Sequence, residues 1–357
     1  MTHAPDADAL GAIDIHAHHV HPDAVAEMSR RAPGRAPMLR RLDETRWAFD
    51  LPPGFFKSFP EGATRVVPAG LLDLDTRLRD MARMRIATHV LGPYTYLNLY
   101  HLPGELAAEF HVLHNDATIA AARADPDRLV ALPGVPMQAP ELAAREVRRL
   151  APIPGVAGIG IGTNVGGVDL DDERLAPFWA AIDETRLPVL IHPPGQVAGA
   201  ERMRDYHLVN LVGNPTDTTV ALARIVLSGM LDRYSNVRIV AVHGGGFLPY
   251  QIGRWDHGWR MREDVKAGTP HPPSTYLPGR VFFDSLTHSS ASLRFLGERV
   301  GWGHVMLGTD YPWDMSTERP IEELREAGID GEMLHKVARE NALAFLRLRT
   351  SATPGGA

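Results

Sequence analysis

The stretch Ile13-Asp14-Ile15-His16-Ala17-His18 lies near the start of the chain, and it decides how the rest is interpreted. Successive side chains of a strand point to opposite faces, so His16 and His18 are expected on the same side. The stretch therefore predicts a strand that carries polar groups at its carboxyl end. Seven further short runs, rich in apolar and β-branched residues, follow it along the chain, and most are separated by segments of helical periodicity.

The eight runs predict the fold class. They are Ile13–His18, Arg85–Tyr94, Leu129–Met137, Val156–Gly162, Pro188–His192, Val237–Val242, Val281–Ser285 and Val305–Gly308. Strands that alternate with helices imply a parallel sheet with right-handed crossovers. Eight such strands are the number that closes a barrel. The prediction is an α/β fold, a (β/α)8 TIM barrel.

The chain length is compatible with one domain. It has 357 residues, and α/β barrels of about 250 residues or more fold as single domains. We expect one domain over residues 1–350, with 351–357 as a tail. Residues 22–72 are rich in proline and arginine and weakly periodic, which predicts an insertion after the first strand.

Composition excludes several function classes. The net charge is −6 without a basic block, so a nucleic-acid partner is not expected. The absence of cysteine removes disulfides, thiolate metal sites and cysteine nucleophiles. The sequence contains no run of about 18 apolar residues, so we expect no membrane span. The first ten residues do not resemble a signal peptide, so the expected location is the cytoplasm.

Polar side chains follow several of the predicted strands at their carboxyl ends. His192 ends the fifth run, His243 follows the sixth and Asp310 follows the eighth. The carboxyl ends of barrel strands meet at one face, so these residues are expected to converge with His16 and His18. Imidazoles with a carboxylate are the ligands of a zinc-like divalent ion where thiolates are absent. The twelve further histidines that follow His18 have no matching partners and are expected mostly at the surface or in supporting positions.

Alternative catalytic motifs are missing. No Gly-x-Ser-x-Gly sequence occurs, so the run His243-Gly-Gly-Gly246 is not interpreted as a lipase oxyanion loop. The glycine-rich run 158–162 lacks the ending of a phosphate-binding loop.

Several further motifs carry a resemblance to a known family. The chain resembles the metal-dependent amidohydrolase superfamily, and within it the aminocarboxymuconate-semialdehyde decarboxylases. Besides the first strand, the matching stretches are Pro136-Met-Gln-Ala-Pro-Glu-Leu142, Ile161-Gly-Thr-Asn164, Leu190-Ile-His-Pro193, Leu211-Val-Gly213, Val242-His-Gly-Gly-Gly246, His257-Gly258, Met261-Arg262, Leu307-Gly-Thr-Asp-Tyr-Pro312 and Asn341-Ala-Leu-Ala-Phe-Leu346. The resemblance covers about residues 65–347 and the first strand.

This resemblance implies roles for individual residues. It implies one divalent metal, zinc by preference, with the ligands His16, His18, His192 and Asp310. It makes His243 the catalytic histidine and gives Asp310 a second role in moving a proton.

The resemblance also implies how a substrate is held. Arg65 and Arg262 would bind substrate carboxylate, since guanidinium groups bind carboxylates bidentately. In the family Arg262 comes from the neighbouring subunit, which implies a homodimer. Asn210 stands where the family has a substrate-contacting tryptophan, and Pro194-Gly195 replace a Trp-Asp pair, so the pocket differs from the family's.

The implied function is a nonoxidative decarboxylase that acts on a small unsaturated or aromatic carboxylic acid. The alternative at the same site is a metal-dependent hydrolase or hydratase that acts on a small carboxylate. A noncatalytic binding protein on a barrel scaffold is a third class, and an intact ligand set disfavours it.

Overall fold

The computed structural model describes residues 10–52, 64–346 and 348. Its main feature is a set of eight parallel strands. They are β1 (Ile13–His19), β2 (Thr88–Pro93), β3 (Leu129–Ala131), β4 (Ile159–Gly162), β5 (Val189–His192), β6 (Ile239–Ala241), β7 (Val281–Asp284) and β8 (Val305–Met306). The α/β class predicted from the sequence is confirmed.

The α-helices lie mostly between these strands. Their bounds are Pro22–Arg31, Leu74–Met84, Gly104–Ala124, Pro140–Leu150, Ala176–Thr185, Asn214–Leu227, Met230–Arg233, Leu248–Met261, Glu263–Gly268, Ser290–Val300, Pro320–Glu326, Gly331–His335 and Asn341–Leu346. Local signals begin some of them: the side chains of Asp73 and Ser289 accept hydrogen bonds from backbone N–H groups of the first turns that follow. None of the helices in the described ranges is both long and apolar enough to cross a bilayer.

The parallel strands form two sheets. One has the order β1-β2-β3 and the other β8-β7-β6-β5-β4. Isolated parallel bridges join the sheets on both sides, at Ala131 with Val156, Gly134 with Gly160, and Ala17 with Tyr311. Near β1 and β8, the N–H of Ile15 donates to Leu307 O at 3.0 Å, and the N–H of Asp310 donates to His16 O at 2.8 Å. All residues of β1 are buried, as expected for a strand covered on both faces.

The segment predicted as an insertion has its own secondary structure. Its helix 22–31 is followed by a three-stranded antiparallel sheet of Met38–Arg41, Arg46–Asp50 and Thr64–Pro68, with the second strand in the middle. Phe49 is fully buried and its ring lies 5.9 Å from that of Tyr94 at the end of β2. This contact attaches the antiparallel sheet to the parallel strands and brings Arg65, the register partner of Phe49, to the same area.

Several predicted elements are shorter than their apolar runs. The run Leu129–Met137 is a strand only to Ala131, because Pro133 and Pro136 have no N–H to donate to a sheet. The run that began at Arg85 becomes a strand only at Thr88, since Arg85 ends the preceding helix in a left-handed conformation, φ 62°. The predicted tail 351–357 lies outside the described residues.

Candidate metal centre

The five predicted metal-site and catalytic residues meet at the carboxyl ends of four strands. His16 and His18 lie in β1, His192 ends β5, His243 follows β6 and Asp310 lies just beyond β8. The ring centroid of His16 lies 5.2 Å from that of His192 and 5.2 Å from that of His243. The ring centroids of His18 and His192 are 4.8 Å apart. The predicted convergence of residues up to 294 positions apart is therefore present.

Asp310 lies in the middle of the group. Its Oδ1 is 2.9 Å from His18 Nε2, 3.3 Å from His16 Nε2 and 4.0 Å from His192 Nε2. Its Oδ2 is 3.7 Å from His243 Nε2. Asp310 and His243 both adopt positive φ, 62° and 57°, which is uncommon for non-glycine residues and typical of functional sites.

Four of the five residues meet a distance criterion for one metal ion. One ligand atom each from His16, His192, His243 and Asp310 lies within 4.8 Å of the others. His243, predicted as catalytic, belongs to this set, whereas His18, predicted as a ligand, does not. Within the group, His18 approaches Oδ1 of Asp310 and His243 approaches Oδ2.

Hydrogen bonds orient three of the imidazoles. The Nδ1 atoms contact Asp284 Oδ2 at 2.7 Å for His16, Pro93 O at 3.2 Å for His18 and Pro193 O at 2.9 Å for His192. Each acceptor favours a proton on Nδ1, so a neutral ring held in this way presents the lone pair of Nε2.

Two of the donor atoms that face Asp310 lack other partners. Among the described residues, Nε2 of His16 and Nε2 of His192 are buried without a hydrogen-bond partner. Buried polar atoms are rarely left unpaired. Two such nitrogens beside a carboxylate, with Nε2 of His243 on the other oxygen of Asp310, fit a divalent cation well.

The site is closed on the side of β1 and opens on the other side. The side chains of His16 and His18 are 1% and 5% exposed, whereas those of His192 and His243 are 13% and 16% exposed. Burial lowers the pKa of His18 and, together with neighbouring imidazoles, lowers that of His192 well below its usual value. Both rings are therefore neutral, as metal ligands must be.

His16 and Asp310 are electrostatically coupled. Burial opposes a charge on His16, but the carboxylates of Asp310 and Asp284 outweigh it and raise the pKa of His16 to about 10. Burial by itself would raise the pKa of Asp310, and the neighbouring imidazoles instead lower it well below its usual value. The group is thus suited to hold positive charge beside Asp310, either as a proton or as a cation.

An aromatic wall connects the histidines to Arg65. The ring of Trp313 lies 6.2 Å from His18 and 4.7 Å from Tyr94, and Tyr94 lies 4.5 Å from Tyr96. Arg65 is exposed at the antiparallel sheet and hydrogen bonds with Tyr96. Arg65 is therefore close to the site through two tyrosines of the same chain.

The remaining two predicted substrate residues lie elsewhere. Asn210 is half-buried in a π-helical turn, Val209–Gly213. Arg262 ends the helix Leu248–Met261; it is 66% exposed and pairs with Asp264 at 3.1 Å. The roles of both residues toward substrate stay predictions.

Sequence reasoning missed four residues around the site. They are Asp284, Tyr94, Tyr96 and Trp313. The strand-end criterion that identified His192 could have identified Asp284, which ends β7, and Tyr94, which follows β2. The position of Trp313 at the site could not be predicted in this way, because Trp313 lies in a loop, three positions beyond Asp310.

Comparisons with known proteins identify the family of the chain. The amidohydrolase family model matches residues 13–348. The chain is 33% identical over 288 residues to 2-amino-3-carboxymuconate-6-semialdehyde decarboxylase of Dictyostelium discoideum, which covers 80% of this chain and 79% of the relative. The chain belongs to the amidohydrolase family, and its resemblance to the aminocarboxymuconate-semialdehyde decarboxylases is confirmed.

Solved structures share the fold. 5-Carboxyvanillate decarboxylase from Sphingomonas paucimobilis has a TM-score of 0.80 at 23% identity, over 95% of this chain and 100% of that chain. The corresponding enzyme from Novosphingobium aromaticivorans, solved with manganese and 4-hydroxy-3-methoxy-5-nitrobenzoic acid, has a TM-score of 0.75 at 22% identity, over 94% and 96%. At this identity the two structures support the fold alone.

Proposed function

We propose that the chain is a metal-dependent nonoxidative decarboxylase, a carbon–carbon lyase, of a small aromatic or unsaturated carboxylic acid. The observation that carries this proposal is the cluster of imidazoles around Asp310, with buried unpartnered nitrogens directed at one point. The decarboxylase relative at 33% identity favours this reaction over hydrolysis or hydration.

The proposed architecture is a (β/α)8 barrel in one domain over residues 1–350, with residues 22–72 inserted after β1. The bridges on both sides of the two parallel sheets support closure. In such a barrel the site lies at the carboxyl face of the strands, where barrel enzymes carry their chemistry.

The proposed ligands of the metal are His16, His18, His192 and Asp310, with His243 beside them as the catalytic histidine. The ion would act as a Lewis acid that stabilises developing negative charge. Zinc is the expected ion because of the nitrogen-rich donor set. Manganese is the ion in the Novosphingobium enzyme and is the second candidate.

The chain's own residues would move one proton. Decarboxylation breaks the bond between the substrate carbon and its carboxylate, the electron pair stays on that carbon, and carbon dioxide leaves. A proton replaces the carboxylate, so the charges balance. His243 and Asp310 face each other at 3.7 Å, so this pair can hold the proton and deliver it.

Binding of the acid would use the wall and the arginine. A planar substrate can lie against Trp313 and Tyr94, with a carboxylate directed to Arg65. The rings of the wall support an aromatic or conjugated substrate over a flexible aliphatic one. Asn210 is the proposed contact at the position where the family has tryptophan.

A homodimer is proposed, with Arg262 completing the partner's site. The helix that ends at Arg262 carries exposed Tyr250 and Met261, 77% and 68%, and Tyr250 lies 6.1 Å from the exposed ring of Phe295. Exposed apolar clusters of this kind mark interaction surfaces. An isologous interface would place the same helix of both subunits at the two-fold axis.

Mixed dimers test this assembly. His243→Ala and Arg262→Ala chains should each be inactive alone. In a mixed dimer one site receives both defects and the other receives neither, so part of the activity should return. A monomer in sedimentation at assay concentration, or no recovery from verified mixed dimers, would make Arg262 a surface charge.

The test of the reaction is carbon dioxide release. Protein loaded with zinc, and separately with manganese, is assayed with 5-carboxyvanillate and with 2-amino-3-carboxymuconate-6-semialdehyde. Esters, amides and unsaturated acids are run in parallel as substrates for hydrolysis or hydration. Metal-dependent carbon dioxide release supports the proposal, whereas hydrolysis or hydration without carbon dioxide from any acid overturns it.

A further inference from the structure

A buried carboxylate beneath the site contacts strand β1 and the turn that follows strand β6. Asp284 ends β7 and is fully buried. Its Oδ2 lies 2.7 Å from His16 Nδ1. Its Oδ1 accepts the N–H of Gly244 at 2.7 Å and that of Leu286 at 3.3 Å. One side chain thus contacts the ring of His16 and the turn that carries His243.

The turn after β6 depends on this contact. His243, Gly244, Gly245 and Gly246 all have positive φ, between 57° and 75°. This conformation is costly for His243, so it must be held by surrounding contacts. The bond from the Gly244 N–H to Asp284 Oδ1 holds the backbone directly after His243.

The space for this contact is provided by Gly308. A Cβ at Gly308 would lie 2.7 Å from Asp284 Cβ and 2.9 Å from His16 Cβ, closer than real Cβ atoms come. Gly308 does not have a positive φ, so backbone conformation does not require glycine there. The glycine is explained by the close approach of Asp284 to His16.

We infer that Asp284 is a positioning residue that couples His16 to His243. Its carboxylate accepts a hydrogen bond from the His16 ring and another from the Gly244 N–H at the same time. It thereby determines which ring nitrogen His16 directs at the site, and it holds the turn that carries His243. Of the three imidazoles oriented through Nδ1, only His16 is held by a side chain, since His18 and His192 contact backbone carbonyls. The inference rests on the proposed metal centre, which Asp284 itself does not enter.

The substitution Asp284→Asn tests the inference because it keeps the shape and removes one acceptor. A carboxylate has two acceptor oxygens, whereas an amide has one oxygen and an NH2 donor. The asparagine can therefore accept from the His16 ring or from Gly244, but not from both. We expect zinc affinity, titrated with the metal alone, to fall about 10- to 100-fold, as for other partners of metal-bound histidines.

A second measurement does not depend on activity or metal. In the wild type, the His16 Nδ1–H proton should give a slowly exchanging NMR resonance, because it is donated to a buried carboxylate. In Asp284→Asn, that resonance or the Gly244 amide resonance should shift and exchange faster. If the wild type binds neither zinc nor manganese, the proposed function is wrong. The two resonances still test the role of Asp284 in that case, because they do not depend on metal.

Two further variants keep the test decisive. Ser285→Ala removes the neighbouring contact to the Gly308 N–H at 3.3 Å and should change zinc affinity by less than about twofold, far below the loss expected for a ligand partner. Gly308→Ala keeps the carboxylate but forces Asp284 and His16 apart, so it should reproduce the loss even where Asp284→Asn does not fold. Wild-type zinc affinity and unchanged resonances in either folded variant, Asp284→Asn or Gly308→Ala, would overturn the inference.

Discussion

Strand β1 separates two groups of buried histidines that differ in what they can do. On one side, His16 and His18 join His192, His243 and Asp310 in the candidate metal centre. On the other side, His19 lies with His21 and His114, its ring centroid 6.3 Å from each. We refer to His19, His21, His111 and His114 as the buried histidine group. Among the residues that the structure describes, both nitrogens of His19 lack hydrogen-bond partners, so unpartnered imidazole nitrogens occur in both groups.

Charge distinguishes the two groups. The candidate metal centre contains Asp310, with Asp284 behind it. Over residues 10–52 and 64–346, no carboxylate lies within 4.0 Å of the rings of His19, His21 or His114, whereas the buried guanidinium of Arg77 disfavours positive charge on His19. A cation is therefore stabilised beside Asp310 on one side of β1 and disfavoured beside His19 on the other.

The comparison shows that buried imidazoles alone do not make a metal site. Burial lowers the pKa of His114 to about 3 and that of His111 to about 4, so these rings are neutral in the folded protein. Neutrality makes an imidazole a possible ligand, but the lone pairs must also converge on one point, and a carboxylate such as Asp310 stabilises the cation further.

The largest expected effect is the loss of metal when a histidine of the candidate metal centre is replaced, compared with a histidine of the buried histidine group. His16→Ala should lose the metal and the activity, by more than about 100-fold in affinity, since even partners of metal ligands contribute 10- to 100-fold. His114→Gln is the matched control in the buried histidine group and should retain one metal per chain. Metal analysis after dialysis measures both. Full activity of His16→Ala after chelator treatment would remove the metal centre from the mechanism.

The next effect tests which of His18 and His243 binds the metal and which acts only in catalysis. His243→Ala should keep the metal and lose turnover by roughly 100-fold or more, the lower range for general acid–base catalysis. His18→Ala should instead lose metal. The reverse pattern, with metal lost from His243→Ala and kept in His18→Ala, would select the set His16, His192, His243 and Asp310 as the ligands.

The smallest effect is on stability. A histidine whose pKa is lowered on folding binds protons mainly in the unfolded chain, so it destabilises the fold as the pH falls below about 6.5. His111 and His114 lie three positions apart in the helix Gly104–Ala124, near His21 and Glu146. Each should cost about 2 kcal/mol of unfolding free energy between pH 7 and pH 5.

His114→Gln isolates one of these two contributions. In metal-free protein, the fall in unfolding free energy should be about 2 kcal/mol smaller for the variant than for the wild type. Chemical denaturation at both pH values measures the difference. An identical fall in the two proteins would show that His114 does not titrate on unfolding.

Much of the fold and site follows from local pattern. Apolar runs that alternate with segments of helical periodicity predict the α/β class, and each of the eight runs overlaps one of the eight parallel strands. The strand ends predict His16, His18, His192, His243 and Asp310 as one site, because parallel strands bring their carboxyl ends together. Local signals also explain the errors in strand length, since proline limits the strand that begins at Leu129.

The sequence by itself determined the α/β class, the family, and the histidines and aspartate that meet at the strand ends, since each depends on spacing and residue type along the chain. The tertiary structure decided which atoms meet: Asp284 with His16 and Gly244, Trp313 with Tyr94, and His18 and His243 on opposite oxygens of Asp310. These contacts join residues far apart in sequence, and they depend on side-chain packing across strands. No period or spacing along one strand encodes that packing.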